Sequence, residues 1–301
     1  MRILLTGKDG QVGFELARAL APLGEVVAVG RADCDLADAG ALRALVRRNA
    51  PDVIVNPAAW TAVDLAESAR EAVFAVNARV PGILGEEGAR IKALVVHYSS
   101  DYVFDGSGHT PFRESDTPAP RNVYGASKLA GERALAEACP SHLILRSSWV
   151  LGVHGGNFPK TMLRLATERE QLRVVDDQFG APTSAALLAD LTAHLVRQHA
   201  REGGAAFPYG TYHVAAAGET SWYEYARFVL EAARSAGELL RAGPDAVLPV
   251  HTAAFPTAAR RPANSRLDTS LFRHTFGLHL PPWQDGVVHV LRQLLRSEND
   301  A

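Results

Sequence analysis

The chain opens on a short apolar run, Met1 to Thr6, that passes straight into Gly7-Lys-Asp-Gly10-Gln-Val-Gly13. A glycine-lined bend between a buried strand and a helix constrains the fold more than any other local feature here, because few architectures require one. Gly7 permits the tight turn and Gly10 lets the backbone approach a pyrophosphate. Gly13 lets the helix that begins near Gln11 pack close to the strand, with its free N–H groups aimed at the anion. The spacing is Gly-x-x-Gly-x-x-Gly rather than the commoner Gly-x-Gly-x-x-Gly, and three glycines after a strand also describe an ordinary turn. An amphipathic run over residues 14–23 follows and favours the anion-binding reading.

Beyond that bend, apolar runs alternate with segments of helical period. Residues 26–29, 53–55, 94–96 and 143–145 read as buried strands separated by helices, an order that predicts a parallel, doubly wound sheet. After Leu151 the rhythm loosens into a helix over 158–170, a strand at 173–175, a helix over 185–198 and a strand at 211–214. Residues 244–266 are rich in loop formers, and a last amphipathic helix is expected over 284–295. No internal repeat or low-complexity linker divides the chain. The expected architecture is α/β: a Rossmann-type doubly wound parallel sheet over residues 1–150, then a smaller C-terminal α/β region over 151–301. That second region is expected mainly to bind substrate and to return some segments to the sheet.

With 301 residues, 47% of them hydrophobic, the chain has ample material for a core. Its formal net charge of −2, with Lys and Arg dispersed, argues against a nucleic-acid surface. No continuous apolar stretch is long enough to span a bilayer, so no membrane partner is expected. The N-terminus starts at once with a core strand and lacks the marks of a signal peptide, which makes the cytoplasm the expected compartment. Cys34 and Cys139 show no metal-ligand spacing, nor do His97, His109 and His213, and all read as ordinary core or loop residues.

Tyr124 and Lys128 stand four residues apart in Asn122-Val-Tyr-Gly-Ala-Ser-Lys-Leu-Ala-Gly-Glu132. On a helix both side chains project from one face, so an ammonium near the phenol is expected to favour its ionised form. A phenol, with an ordinary pKa of about 10, needs such help to exchange protons at neutral pH. Downstream of a glycine-rich turn, the pair indicates a nicotinamide-dependent redox enzyme.

The glycine motif, Asn56-Pro-Ala-Ala-Trp-Thr-Ala-Val-Asp64, Ser99-Ser-Asp-Tyr-Val-Phe-Asp-Gly106 and Tyr124-x-x-x-Lys128 together carry a resemblance. In these residues the chain resembles the extended short-chain dehydrogenase/reductase family. Arg146-Ser-Ser-Trp-Val150, Asp176-Asp-Gln-Phe-Gly-Ala-Pro-Thr183 and Arg261-Pro-Ala-Asn-Ser-Arg-Leu-Asp268 narrow the likeness to its reductases of nucleotide-linked 4-keto-deoxysugars. The implied reaction is NADPH-dependent reduction of the 4-keto group of dTDP-4-dehydro-β-L-rhamnose, with NADH also accepted. Another nucleotide-linked 4-keto-deoxysugar is the alternative substrate.

The resemblance also implies roles. Ser100, where the family more often has Thr, would hydrogen-bond the substrate carbonyl. Tyr124 would protonate the developing alkoxide, and Lys128 would hold the nicotinamide ribose. Cofactor contacts are expected from Gly7, Gly10, Gln11 and Val12 at the phosphates, from Asp35 and Leu36 beside the adenine, and from Ala58, Ala59 and Thr61. The alanines equally suit any packed turn, and Asp35 equally suits a helix cap. Arg31, at the end of the second strand, would attract a 2′-phosphate, although an exposed loop arginine fits the position as well. Substrate contacts are expected from Ser100, Asp101 and Trp149, with Arg261 and Asn264 at the diphosphate or nucleotide end; a surface salt bridge is the other reading of the last two. Tyr98 and Asn77 stay outside the expected site.

Sequence features distinguish three further functions. A sugar-nucleotide dehydratase would carry an Asp-Glu pair after the catalytic hydroxyl, but Tyr102 follows Asp101. An epimerase would share the Tyr/Lys chemistry and retain its cofactor, and a non-catalytic subunit would not need Ser100, Tyr124 and Lys128 intact. Some similar reductases hold a divalent cation at a dimer interface through three carboxylates. Here Glu15 matches the first, whereas Ala186 and Gln293 stand at the other two. Glu15 then reads as a favourable charge in the first turns of its helix, and a monomer or a metal-free homodimer is expected. One carboxylate and an amide hold a hard cation poorly, so full activity is expected in EDTA. Activity that EDTA abolishes and magnesium restores would overturn this.

Overall fold

The computed structural model describes residues 1–299. Six strands form the central sheet: β1 (Arg2–Thr6), β2 (Glu25–Val29), β3 (Val53–Asn56), β4 (Leu94–Ser100), β5 (His142–Ser147) and β6 (Gly210–His213). All pair in parallel, in the order β6-β5-β4-β3-β1-β2. The helices that concern the site are α1 (Gln11–Leu20), α2 (Ala39–Asn49), α3 (Val80–Ile91), α4 (Val123–Ala138), α5 (Phe158–Glu168), α6 (Ala185–Glu202), α7 (Trp222–Ser235), α8 (Ser270–Phe276) and α9 (Trp283–Asn299).

Successive strand residues point to opposite faces, and both faces are covered, which is why the strands read as unbroken apolar runs. Ile3, Leu5, Val53, Val55, Leu94 and Val96 meet Leu16 and Leu20 of α1 and Leu188, Leu191 and Leu195 of α6. On the other face, Leu4, Ile54, Val95 and Ile144 meet Leu42 and Leu45 of α2, Leu84 of α3 and Leu135 of α4. Helix α6 and strand β6 come from the second half of the chain and complete the first of these two layers. A separate core gathers Met162 of α5, Leu172, Val174, Tyr225 and Val229 of α7, and Val287 and Leu291 of α9.

The chain moves from β1 to β2 in one direction and then through β3, β4 and β5 in the other, so a crevice opens where the order reverses. Gly7 has φ +63°, and a Cβ at Gly13 would lie 1.9 Å from the Gly7 carbonyl oxygen. Only glycine allows the first conformation cheaply, and only glycine allows the second contact. Helix α1 starts at Gln11 as expected but stops at Leu20, where Ala21–Leu23 tightens into a 3₁₀ turn around Pro22, which has no N–H to continue the helix. Among the described residues no helix is long and apolar enough to cross a membrane.

Helix α4 is fixed to the sheet by a buried ion pair. Arg146 of β5 donates from Nε and Nη2 to the two carboxylate oxygens of Glu132, at 2.9 and 2.7 Å, and its guanidinium lies over the Phe104 ring. Both side chains are almost fully buried. Glu132→Leu would leave the arginine charge buried and unpaired, so a loss of about 3–5 kcal/mol is expected in urea unfolding. A loss below about 1 kcal/mol would refute the role given to the pair.

Candidate active site

The crevice holds a cavity of about 840 Å³ at the carboxyl ends of β1, β3, β4 and β5. Gly7, Gly10, Gln11 and Val12 line it on the glycine turn, Arg31, Asp35 and Leu36 after β2, and Ala58, Ala59 and Thr61 after β3. Ser100, Asp101, Tyr124, Lys128, Trp149 and Arg261 line the same space. Residues scattered over most of the chain therefore meet in one place.

Lys128 is 2% exposed. Its ammonium donates to the Tyr98 carbonyl at 2.6 Å and lies 3.4 Å from His97 Nε2. Burial brings its pKa down to about 8, and the Glu132 carboxylate, one helical turn along, acts in the opposite direction. Burial, with the Lys128 charge added, also drives His97 well below its ordinary value, so this ring is neutral. A tautomer protonated at Nδ1 donates to the Asn56 carbonyl at 3.2 Å and leaves Nε2 to accept from Lys128. Asn56 is anchored in turn by the Thr6 hydroxyl at 2.6 Å. A polar chain thus runs beneath the cavity from β1 to α4. From sequence alone His97 is an ordinary strand histidine; its partners lie 41 and 31 residues away, and nothing local marks them.

Asn77, likewise set outside the expected site, seats α4. Its side chain accepts from Trp60 N at 2.8 Å and donates to the Ser127 hydroxyl at 3.0 Å, and Ser127 donates to the Tyr124 carbonyl at 2.6 Å. Tyr124 is half-buried at the cavity wall, edge-on to Tyr102 with ring centroids 5.4 Å apart. The expected downward shift of its phenol is corrected here. Burial first, and then the charge of Asp101, push the phenol above its ordinary value, and the Lys128 ammonium is engaged by Tyr98 instead. A phenol so placed keeps its proton until an acceptor arrives.

Ser100 ends β4. Its hydroxyl accepts from Tyr102 N at 3.2 Å and donates its single proton to Asp101 Oδ1 at 2.9 Å. Burial raises the Asp101 carboxyl to about 6.

Beyond Trp149 and Arg261 a second cavity of about 310 Å³ adjoins the first, and Tyr102, Trp149, Trp222 and Arg261 line both. Trp149 has φ +48°, in the left-handed region, and stacks on Trp222 at 3.7 Å. A Cβ at Gly180 would come within 2.7 Å of its indole. Tight packing on both sides of the ring offsets the backbone strain. Asn264 belongs to neither wall, which corrects the expectation that it contacts substrate. It is 1% exposed, and its Nδ2 donates to the Thr110 and Ser107 carbonyls while its Oδ1 accepts from Arg266. A fully partnered amide facing the 107–110 loop has nothing left for a ligand.

Three other residues of the expected set are placed by the structure without deciding their roles. Asp35 lines the cavity and accepts from Ala37 N at 3.0 Å, but the cap of α2 is Asp38. Arg31 is exposed at the cavity rim. Glu15 is not in the first turn of α1, and it pairs with Arg18 at 3.2 Å, which also reaches Asp190.

A glycine turn at the reversal point of a parallel sheet, facing a hydroxyl, a phenol and a buried lysine, defines the class: a dinucleotide-binding oxidoreductase of the short-chain dehydrogenase/reductase type. Residues 1–296 match the RmlD substrate binding domain. The chain is 51% identical to the dTDP-4-dehydrorhamnose reductase of Escherichia coli K12, over 99% of each chain. Among solved structures, the dTDP-4-dehydrorhamnose reductase of Clostridium acetobutylicum superposes with TM-score 0.89 at 32% identity, over 98% of this chain and 99% of that one. The Bacillus anthracis enzyme of the same name, solved in complex with NADP, gives TM-score 0.88 at 34% identity, over 97% and 99%. The chain belongs to the dTDP-4-dehydrorhamnose reductase family.

Tyr124→Phe deletes a phenol that nothing else in its position replaces. Turnover is expected to fall on the order of 10²-fold or more with cofactor binding and melting temperature nearly intact. Near-normal turnover would remove Tyr124 from the chemistry.

Proposed function

We propose that this protein reduces the 4-keto group of dTDP-4-dehydro-β-L-rhamnose to dTDP-β-L-rhamnose, with NADPH preferred and NADH accepted. The observation that carries the reading is the convergence of Ser100, Tyr124 and Lys128 with the glycine turn on one cavity. The turn suits a dinucleotide: Gly7 makes the tight bend at φ +63° and Gly13 lets α1 pack against the Gly7 carbonyl, which leaves the free N–H groups at the N-terminus of α1 beside the cavity, where they attract a pyrophosphate. Gly10, Gln11 and Val12 would hold that pyrophosphate, Asp35, Leu36, Ala58, Ala59 and Thr61 would flank the adenosine and nicotinamide halves, and Lys128 would hold the nicotinamide ribose.

The cofactor supplies the hydride; the rest falls to residues of this chain. Tyr124 gives its proton to the carbonyl oxygen as negative charge builds there. Ser100 stabilises the same oxygen once its hydroxyl turns from Asp101 toward the substrate. Trp149 covers the apolar face of the sugar, and Arg261, between the two cavities, meets the diphosphate. The second cavity takes the nucleotide end. In this reading residues 1–150 chiefly bind cofactor and residues 151–301 chiefly bind substrate.

A panel of nucleotide-linked 4-keto sugars, with NADPH oxidation followed optically, tests the substrate. Fast turnover confined to a different sugar would replace dTDP-4-dehydro-β-L-rhamnose with that sugar. Arg31 tests cofactor choice: its charge at the rim favours a 2′-phosphate, so Arg31→Ala is expected to lower the NADPH-over-NADH ratio of kcat/KM by roughly three- to tenfold. An unchanged ratio would remove Arg31 from the account.

A further inference from the structure

Asp64 ends the stretch Asn56–Asp64, and the chemistry above gives it no task. It lies in the short helical turn Val63–Ala66 with its side chain 41% exposed. Its Oδ2 accepts from Arg261 Nη2 at 2.5 Å, and its Oδ1 accepts from Ala259 N at 3.1 Å. Arg261 also donates from Nη1 to the Tyr102 hydroxyl at 3.2 Å. Between these two attachments, the Arg260 carbonyl accepts from Asn122 Nδ2 at 2.9 Å, and Asn122 Oδ1 caps α4 through Gly125 N at 2.7 Å. Glu67 accepts from Val123 N at 2.8 Å. Three segments remote in sequence are therefore tied together beside Tyr124.

The guanidinium of Arg261 reaches both cavities. Its planar N–H fork grips an anion best when both arms are available for a bidentate pair. Asp64 holds the Nη2 arm of that fork, so a diphosphate lying across the two cavities would compete with it for a bidentate grip. We infer that Asp64 is the resting counter-ion of Arg261, holding the guanidinium between the cavities and releasing it to the diphosphate of the nucleotide sugar. The inference rests on the reading that Arg261 meets that diphosphate. Asp64 then opposes nucleotide binding by competition, while its second oxygen keeps the 259–261 segment in place. Being more than a third exposed, its carboxylate has solvent to turn into when the exchange occurs.

Titration calorimetry with dTDP, on the full chain, tests this. Asp64→Asn removes the charge and keeps an oxygen for Ala259 N; it is expected to bind dTDP roughly two- to fivefold more tightly. Arg261→Ala is expected to bind it at least roughly tenfold more weakly. In the Arg261→Ala background, Asp64→Asn is expected to change nothing further. Unchanged or weaker binding in Asp64→Asn would overturn the proposal, as would an equal gain in the Arg261→Ala background, which would mark only diffuse repulsion between Asp64 and the ligand. Unchanged binding in Arg261→Ala alone would instead overturn the reading of Arg261 and the inference with it. Asp64→Ser, shorter and uncharged, serves as the second variant and is expected to bind dTDP more tightly as well.

Discussion

An ammonium group sealed inside the molecule is the constraint on which the rest of the site depends. Removing a lysine charge from water costs several kcal/mol unless fixed dipoles and counter-charges offset it. Lys128 has the Tyr98 carbonyl at contact distance, a neutral His97 behind it, and the Glu132 carboxylate one helical turn away. Glu132 cannot turn toward the lysine because Arg146 holds both its oxygens. The lysine therefore stays charged but only loosely so, with its pKa brought down to about 8. The same contacts hold α4 against β4 and β5, and so decide where the Tyr124 hydroxyl stands.

A second constraint joins the two cores. Trp149 leaves the sheet in a conformation that tryptophan rarely adopts, and the residues that hold it there, Gly180 and Trp222, belong to the second half of the chain. Tyr102 leans edge-on against Tyr124 and accepts from Arg261. The boundary between the two cavities is thus built from both halves. Neither half builds this boundary alone, just as β6 and α6 return from the second half to the first core.

Much of this was legible in the sequence because the signals are local. A strand that runs into Gly7–Gly13 has little choice but to bend, and a tyrosine and lysine four residues apart share a helix face whatever lies around them. The parallel, doubly wound sheet followed from alternation of apolar runs. Errors arose where sequence adjacency stood in for direction. Asn264 lies three residues from Arg261, yet it faces the 107–110 loop. Tyr124 shares a face with Lys128, yet the lysine is drawn to a carbonyl of β4 and burial dominates the phenol. Asn77, His97 and Asp64 carried no local mark, since each acts through partners between 17 and 197 residues away.

Sequence by itself determined the parallel sheet, the glycine bend, the residues brought to its mouth and the redox character of the chain, because backbone sterics and helical period act over a few residues. Tertiary structure decided which of those residues face the cavity, how charged Lys128 is, and which anion Arg261 holds at rest. The physical reason is that burial and electrostatics depend on every group within a few ångströms in space, and most of those groups are distant along the chain.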